Sequence, residues 1–350
     1  MNVEKKFAPI IIPTLNRCDH LMRCVNSLSQ NDLAKETDLF ISVDYPPSEK
    51  YIEGYKRVVE YLNSGLSGFR NVQVYYQDQN LGAHDNFLFL LHKISKEYRN
   101  FIFSEDDNVF SADFLDYMNY CLSKYEDDED VQVVDGYMWP IKERDSTGIV
   151  RIDSLFNAWG YGGWIDKEYR ILKLIEDGRL SDLWNDVSSM NKLRKNNPFI
   201  YTEFVKNYSC YSGCMVKADG SISANDLAYS LIDFFEKKYT LFPICSKVRN
   251  YGNDGSGLNC EEILFNDDDE ISNRNYDYSS QEVVNDNVER QYKEIGSEEI
   301  KSGIYRDIMI FLKVPRNEVL KAITLYMLSR VFGIQRIRSI IKIIKSRQGN

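Results

Sequence analysis

Three consecutive acidic residues, Glu105, Asp106 and Asp107, follow an apolar run at positions 101–103 after a single serine, Ser104. Like charges at the end of a buried strand are costly unless a cation neutralises them. Mg²⁺ and Mn²⁺ prefer oxygen ligands and commonly bridge to the phosphates of a substrate. The triplet therefore predicts a metal site that binds a diphosphate. The alternative is a solvated acidic turn before the next helix.

A second polar segment, PTLNR at residues 13–17, follows the first apolar run of the chain. Arg17 offers a planar charged fork that suits a phosphate, although an arginine near a strand end equally forms a surface ion pair. No glycine occurs between residues 1 and 53. This segment therefore carries neither the dinucleotide-binding GxGxxG motif nor a Walker A motif, which excludes dehydrogenases and P-loop kinases of those types.

Other polar and aromatic residues have two interpretations each. Asp44 follows the second apolar run, where it either accepts a hydrogen bond from a nucleotide base or stabilises the turn at residues 45–47. Trp159, Tyr161 and Trp164 lie among three glycines, which suits either stacking on a sugar ring or a packed core loop. Asp226 precedes a helical run, and by residue type alone it is a helix-capping acid.

The polar segments follow apolar stretches that alternate with helical patterns up to about residue 140. We predict strands at residues 7–12, 38–43, 72–77, 100–107 and 131–139, with Asp19 and Ser111 as helix N-caps. Such alternation implies a mainly parallel sheet covered by helices on both faces. Ligands bind at the carboxyl ends of the strands in these sheets, where the acidic triplet, Arg17 and Asp44 fall.

Beyond residue 140 the pattern is less regular. Residues 155–165 resemble a shaped loop more than a strand or helix, and residues 219–257 predict a loop, a helix, a strand and a loop. Residues 261–300 hold thirteen acids against three bases, which predicts a mobile acidic segment.

The 350 residues are 43% hydrophobic and 27% charged, which excludes disorder, collagen and coiled coil as the main architecture. A net charge of −10 argues against nucleic acid as a partner. The seven cysteines form no C-x-x-C motif, which favours reduced, buried thiols. The apolar run near residue 10 is too short for a signal peptide, and no apolar stretch is long enough to span a membrane, so we expect a cytoplasmic protein.

The C-terminal stretch from Val314 carries eight Lys or Arg against one Glu. Its isoleucines follow one helical stripe, and basic residues flank that stripe. The pattern is typical of a helix that lies peripherally on an anionic membrane surface, and the alternative is docking on its own domain or on a second subunit. The stripe is Ile334, Ile337, Ile340, Ile341 and Ile344, flanked by Arg336, Arg338, Lys342, Lys345 and Arg347.

Taken together, PTLNR, Asp44, NLGAHDNF at residues 80–87 and the acidic triplet resemble the GT-A nucleotide-sugar glycosyltransferases. The layout is most similar to inverting bacterial capsule and O-antigen polysaccharide glycosyltransferases and to the N-acetylglucosaminyltransferase I type. Residues 151–169 resemble the acceptor-side segment, residues 223–235 the segment that supplies the catalytic base, and residues 247–260 the closing loop. The resemblance covers about residues 7–262.

The resemblance implies a Rossmann-like, mixed and mainly parallel sheet flanked by helices, with a C-terminal helical extension. It implies inverting transfer of a sugar from a nucleotide sugar, here expected to be a UDP-sugar, to a saccharide acceptor on a lipid carrier, in bacterial surface polysaccharide synthesis. The implied divisions are residues 1–140 for the donor, 141–262 for the acceptor and catalysis, 263–313 as the acidic segment and 314–350 as the basic helix.

The resemblance also assigns roles to individual residues. Asp226 would be the general base, and Asp107 would bind Mn²⁺ or Mg²⁺. Related closing loops often supply a His as a second metal ligand, whereas Asn259 stands here, so the metal is either weakly held or dispensable. The donor would contact Thr14, Asn16, Arg17, Asp44, Asn80, Asp85, Glu105 and Asp106, and the acceptor would contact Trp159, Tyr161 and Trp164.

Two other functions remain open on sequence grounds. A sugar-phosphate nucleotidyltransferase shares the alternating elements and acidic residues, but it normally needs a Gly-rich loop after the first strand. A non-catalytic sugar-nucleotide-binding or assembly subunit with a degenerate GT-A fold is compatible with Asn259 in place of His.

Overall fold

The computed structural model describes residues 6–139, 149–210, 226–252, 254 and 304–348, with backbone alone at 210 and 345–348. The described residues form two compact units. The first contains residues 6–139, 149–151, 157–168, 240–252 and 254, and the second contains residues 152–156, 169–210, 226–239 and 304–348. The four-part division made from the sequence stays a prediction, and most of its acidic segment lies outside the described residues.

The strands in chain order are β1 (Ile10–Thr14), β2 (Asp38–Val43), β3 (Asn71–Tyr76), β4 (Asn100–Phe103), β5 (Asn108–Phe110), β6 (Val131–Asp135), β7 (Ile149–Ile152), β8 (Tyr161–Trp164), β9 (Tyr239–Pro243) and β10 (Val248–Asn250). The helices are α1 (Cys18–Ser29), α2 (Ile52–Asn63), α3 (Ala83–Ile94), α4 (Phe114–Lys124), α5 (Ile165–Glu176), α6 (Arg179–Asn185), α7 (Val187–Asn196), α8 (Pro198–Cys210), α9 (Asp226–Glu236), α10 (Ile304–Phe311), α11 (Arg316–Phe332) and α12 (Ile334–Gln348).

Within the described residues, eight strands form one sheet in the order β3-β2-β1-β4-β8-β6-β9-β7, and β5 pairs with β10 in a separate ribbon. The strands β3, β2, β1 and β4 run parallel, whereas β8 is antiparallel to both β4 and β6. This arrangement confirms the predicted fold class. It is a mixed, mainly parallel Rossmann-like sheet, with flanking helices and a helical C-terminal extension.

The first strands follow the predicted pattern closely. Ile10, Ile11 and Ile12 are all fully buried, because helices cover both faces of the sheet and leave no position for alternating polar residues. The predicted N-caps are wrong. Helix α1 begins one residue before Asp19, whose carboxylate instead pairs with Arg57 at 2.7 Å, and the N-cap residue of α4 is Asp113.

The predicted shaped loop at residues 155–165 is also wrong in part, because Tyr161–Trp164 forms strand β8 between β4 and β6. A Cβ on Gly162 would lie 3.2 Å from the carbonyl oxygen of Phe101, and one on Gly163 would lie 3.3 Å from the ring of the same residue. The glycines therefore allow close packing against β4. Glycine is rare in strands, so the sequence pattern favoured a loop.

An ion pair between buried Asp38 and exposed Arg70 lies at the amino edge of the sheet, where β2 begins. The guanidinium of Arg70 donates two hydrogen bonds to the Asp38 carboxylate, at 2.7 and 2.6 Å, and the Tyr98 hydroxyl donates a third. Burial alone raises the pKa of Asp38, but these hydrogen bonds outweigh it and hold the pKa below its ordinary value.

In the second unit, α11 and α12 pack against α8. The Tyr326 hydroxyl on α11 donates to the Trp184 carbonyl at 3.1 Å. The guanidinium of Arg338 on α12 donates to the Tyr208 carbonyl at 2.9 and 2.7 Å, and Ile337 beside it is buried. Ile337 of the predicted membrane stripe and its flanking residue Arg338 therefore face their own unit, as the docking alternative expects.

Among the described residues, no helix has both the length and the apolarity needed to cross a bilayer. Cys18, Cys24 and Cys121 are buried free thiols, as predicted, whereas the free thiol of Cys245 is only partly buried. The side chains of the other three cysteines lie outside the described residues.

Candidate functional site

A cluster of charged side chains lies at the carboxyl ends of β1 and β4 in the first unit. These strands are parallel neighbours, so the residues that follow them meet at one edge of the sheet. The Thr14 hydroxyl donates to Oδ2 of Asp106 at 2.7 Å. The Arg17 guanidinium pairs with Oδ1 of Asp106 through Nη2 and with Oδ2 of Asp107 through Nη1, the latter at 2.6 Å. We call these four residues the acidic cluster.

A distant part of the chain covers Asp107. Strand β10 pairs antiparallel with β5, which places Asn250 opposite Asn108. The Asn250 amide donates to Oδ1 of Asp107 at 2.6 Å, and the Tyr251 backbone N–H donates to the Asp107 carbonyl at 2.9 Å. A Cβ on Gly252 would lie 2.1 Å from Oδ2 of Asp107, so only glycine fits against this carboxylate without a shift.

Burial and charge set the electrostatics of the acidic cluster. Asp106 and Asp107 are each 5% exposed. Burial raises the pKa of Asp106, and Arg17 opposes that rise. Burial also lowers the pKa of Arg17, but the two carboxylates outweigh it and hold the guanidinium firmly charged. Two carboxyl groups thus face a single guanidinium, so the cluster contains one more acidic group than it has basic groups.

The acidic cluster suits a divalent cation in its chemistry. Its carboxyl groups supply oxygens, which are the ligands that Mg²⁺ and Mn²⁺ prefer. Within the described part of the chain, no group of three or more His, Cys, Asp or Glu residues is arranged to hold a metal ion. Such ions commonly complete their coordination with waters and substrate phosphates, so two carboxylates fit this role. Asn259, the predicted second ligand, lies outside the described residues.

Asp44 and Asn80, both predicted to bind the donor, do lie together. Oδ1 of Asp44 accepts from the backbone N–H groups of Tyr45 and Leu81, each at 2.8 Å, and Oδ2 accepts from Gly82 N–H at 2.8 Å and the Asn80 amide at 3.1 Å. A carboxylate has about four acceptor positions, and here the protein fills four. This geometry favours the turn-stabilising interpretation of Asp44, and base recognition stays a prediction.

The remaining donor candidates, Asn16, Asp85 and Glu105, are half-buried or exposed. Asn16 is half-buried, and its carbonyl oxygen would lie 2.3 Å from a Cβ on Gly54, so helix α2 packs closely there. Asp85 is exposed in the first turn of α3. Glu105 is half-buried, and its carbonyl accepts a hydrogen bond from the Ser104 hydroxyl at 2.6 Å. Their roles toward a donor stay predictions.

The aromatic candidates lie largely in the core of the first unit. Tyr161 and Trp164 are 4% and 2% exposed. The Trp164 indole N–H donates to the Leu122 carbonyl at 3.1 Å, and the Tyr161 ring packs 5.2 Å from the ring of Phe103. The packed-core alternative describes the surroundings of both. Trp159 is half-buried, so of the three it has the exposure that an acceptor contact needs.

Asp226 belongs to the second unit, where it is half-buried and is the first residue of α9. Its carbonyl accepts a hydrogen bond from the Ser230 hydroxyl at 2.8 Å. The proposed role of its carboxylate as a base stays a prediction.

Sequence reasoning missed individual partners of the cluster. Asn250 and Gly252 belong to the segment that resembles a closing loop, but neither had been given a role. Next to them, the Tyr251 ring lies between the guanidinium groups of Arg23 and Arg249, each 5.1 Å from its centroid. Nε2 of His20 lies 2.9 Å from Oδ2 of Asp254 and connects helix α1 to the same loop. The density of polar residues in NYGND was the available signal.

A buried ion pair between Lys247 and Asp113 lies next to the ribbon of β5 and β10. The Lys247 ammonium group lies 2.6 Å from Oδ2 of Asp113, and both side chains are buried. The Ser111 hydroxyl donates to Oδ1 of Asp113 at 2.6 Å. This pair fixes the start of β10 against the start of α4.

No family model matches this chain, and no curated protein matches it. Among solved structures, S. aureus TarS is 16% identical to it, with a TM-score of 0.34, over 48% of this chain and 29% of that one. The mannosyltransferase PcManGT from Pyrobaculum calidifontis, in complex with GDP-Man and Mn²⁺, is 12% identical, with a TM-score of 0.34, over 49% of this chain and 47% of that one. This chain thus spans less than half the length of either structure. At these TM-scores neither likeness identifies its function, which has to be inferred from its own residues.

Proposed function

We propose that this protein is a glycosyltransferase that binds a nucleotide-sugar donor at the acidic cluster. The observation that carries the proposal is a pair of buried carboxylates at the carboxyl edge of parallel strands, held by Arg17 and covered by Gly252. Ligands bind at this edge in open α/β sheets. An excess of buried acidic groups there suits a donor diphosphate that arrives together with a cation.

In this proposal Asp107 holds the divalent ion, Mn²⁺ or Mg²⁺, and Asp106 and Thr14 position the donor beside it. When bound, such an ion neutralises the charge that develops on the departing diphosphate. Arg17 orients both carboxylates through its two ion pairs. The Asn250 amide fixes one oxygen of Asp107, so the other oxygen faces Arg17 and Gly252.

The proposed transfer is a single displacement with inversion at the anomeric carbon. The acceptor hydroxyl oxygen forms a bond to that carbon while the bond from carbon to the diphosphate oxygen breaks. The hydroxyl proton passes to the Asp226 carboxylate, and the electron pair leaves with the nucleoside diphosphate. A positioned carboxylate of this kind contributes about 10²- to 10⁴-fold to rate.

The finer identity of the substrates rests on the resemblance of residues 7–262 to polysaccharide glycosyltransferases. On that ground we propose a UDP-sugar as the donor and a lipid-carrier-linked saccharide of a bacterial surface polysaccharide as the acceptor. The hydrogen bonds that Asp44 accepts favour its role in the turn, so recognition of a uracil base by Asp44 is the first detail to test.

Donor binding can be tested by calorimetric titration of the full chain with UDP-, GDP-, dTDP- and CMP-sugars, each with Mn²⁺, Mg²⁺ or EDTA. We expect one nucleotide class to bind and Asp107→Asn to weaken it at least tenfold. Asp38→Asn is the matched control, because it also breaks an ion pair between a buried carboxylate and an arginine, but at the opposite edge of the sheet. Both variants lose stability, and only Asp107→Asn should lose binding.

Transfer can be tested by incubating the chain with the bound donor and saccharide acceptors, followed by mass spectrometry of the products. Release of nucleoside diphosphate together with a glycosylated acceptor supports the proposal. Binding without turnover under every metal condition favours the non-catalytic binding subunit instead. No binding of any nucleotide sugar refutes the donor site.

A further inference from the structure

The C-terminal helices of the second unit expose an unusual number of large apolar side chains. Elsewhere in the described part of that unit, the large hydrophobic residues classed as exposed are Tyr169 and Val187. On helices α10, α11 and α12 they are Ile310, Phe311, Leu320, Met327, Leu328, Val331, Phe332, Ile340, Ile343 and Ile344. Single exposed hydrophobic residues are ordinary, whereas a concentration of them marks an interaction surface.

Helical geometry separates an inner and an outer face on α11. Ala322, Tyr326 and Ser329 are buried, at spacings of four and three residues, and the Tyr326 hydroxyl is anchored on Trp184. The outer face carries Leu320 and Met327 along with Val331, which is 70% exposed. The inner face of α11 is therefore packed against the unit, whereas Leu320, Met327 and Val331 are each more than half exposed.

Helix α12 continues the same division after the turn at Gly333. Ile337 and Arg338 are buried against the unit, whereas Ile340, Ile343 and Ile344 are about half exposed. We call the exposed apolar residues of α11 and α12, from Leu320 to Ile344, the C-terminal apolar face. The docking of Arg338 on Tyr208 fixes which side of α12 this face occupies.

The charges around the C-terminal apolar face are almost all positive. Exposed basic residues on the two helices are Arg316, Lys321, Arg330, Arg336 and Lys342. Glu318 is the sole acidic residue between positions 314 and 350 of the sequence, and it pairs with Lys321 at 2.7 Å and with Lys206 at 3.5 Å. An apolar face with a basic rim is complementary to a surface that is apolar inside and anionic outside.

The geometry points to an anionic phospholipid bilayer as the partner of the C-terminal apolar face. The apolar side chains enter the boundary between headgroups and acyl chains, and the flanking Lys and Arg side chains reach the phosphates. A second copy of the chain would bring one positive rim against another, which opposes association. This inference does not depend on the proposed function, because lipid binding needs neither donor nor acceptor.

The test is co-sedimentation of the full chain with vesicles of phosphatidylcholine alone or mixed with phosphatidylglycerol. We expect binding to the anionic vesicles, weakened by salt. Met327→Ser combined with Val331→Ser should lower the affinity at least tenfold. Val187→Ser is the matched control, because Val187 is 46% exposed on α7 of the same unit, and it should bind like the wild type.

The basic rim gives an independent readout. Removing one basic residue near an anionic surface weakens binding by about fivefold. Arg336→Gln and Lys342→Gln should each show this loss on anionic vesicles, with circular dichroism confirming that the helices remain folded.

Three results would overturn the inference. One is absence of binding to anionic vesicles. Another is binding that neither the serine nor the glutamine variants weaken. The third is a dimer, detected by light scattering, that the Met327→Ser and Val331→Ser variant dissociates while no vesicles bind. Nucleotide-sugar titration of the same samples stays unaffected by these variants, so it reports separately on the donor site.

Discussion

Replacing Gly252 by alanine adds one methyl group against the carboxylate of Asp107. The added Cβ would lie 2.1 Å from Oδ2 and 2.8 Å from Cγ, whereas ordinary contact begins at 3.4 Å. The carboxylate cannot rotate freely to relieve this contact, because Arg17 binds Oδ2 and Asn250 binds Oδ1. Either the loop or the carboxylate must therefore move by about 1 Å.

This shift should lower both the stability of the protein and its affinity for the ligand. Overpacking of a buried site costs about 1–3 kcal/mol in the free energy of unfolding. A displacement of about 1 Å at a binding or catalytic group costs up to about 100-fold in activity. We therefore expect Gly252→Ala to unfold at lower urea concentration and to lose between tenfold and 100-fold of the affinity for its nucleotide sugar.

The matched control is Gly65→Ala. Gly65 has φ +88°, and a Cβ there would meet nothing within 4 Å. Alanine in that backbone conformation costs about 1 kcal/mol without touching the cluster. Urea titration and calorimetry of both variants separate a general loss of stability from a local one, since Gly65→Ala should keep the wild-type dissociation constant.

A double-mutant cycle tests the contact itself, independently of the ligand. In an Asp107→Ala background the clashing oxygen is absent, so Gly252→Ala should cost less than in the wild type, and the two changes should be non-additive by at least 1 kcal/mol. Strict additivity, or a Gly252→Ala variant with wild-type stability and affinity, would refute the close approach of this loop to Asp107.

Three further predictions follow from other sites. Asp226→Asn should reduce transfer at least 100-fold while the donor dissociation constant changes less than twofold, and retained turnover would reject Asp226 as the base. Lys247→Met leaves the buried carboxylate of Asp113 without its ion-pair partner and should lower the free energy of urea unfolding by about 3–5 kcal/mol. Adding Asp113→Asn should restore most of that stability. Equal stability of the single and double variants would contradict this reasoning. The pKa of Asp38 is held below its ordinary value, so its stabilisation is present near neutral pH and is lost as the pH falls through the folded-state pKa. Asp38→Asn should therefore lower the free energy of unfolding by about 1–2 kcal/mol at pH 7, a value that already allows for the exposure of Arg70. The difference in stability from wild type should shrink toward pH 2. A difference that does not depend on pH would contradict this prediction.

The sequence predicted all four parallel strands. β1, β2 and β4 each contain a short apolar run, whereas β3 alternates polar and apolar residues. The same pattern predicted that Thr14, Arg17 and Asp106 lie at one edge of the sheet. It failed at β8, where Gly162 and Gly163 form a strand despite their low preference for one. It also missed the ribbon of β5 and β10, whose strands of three residues are too short to show a period.

The hydrogen bond between Asn250 and Asp107 could not be predicted from the sequence of a single chain. Asn250 is 143 positions away from Asp107, and no local pattern connects them. Asp44 shows a different difficulty, since the residue type fits both recognition of a base and stabilisation of a turn. The backbone N–H groups of Leu81 and Gly82 donate to the Asp44 carboxylate and favour the turn. They belong to the loop after β3, 37 and 38 positions along the chain, so no local pattern predicts these hydrogen bonds.

The charge of the acidic cluster connects the fold to the proposed chemistry. Arg17 offsets one of two buried carboxylates, so a donor diphosphate approaching this edge meets a site with one acidic group in excess. Two anionic groups at close range repel each other strongly in a partly buried site. A divalent cation that arrives with the diphosphate converts this repulsion into attraction without displacing Arg17. Under the proposed function, we therefore expect a site that combines Asp106, Asp107 and a single guanidinium to bind the donor diphosphate as its metal complex.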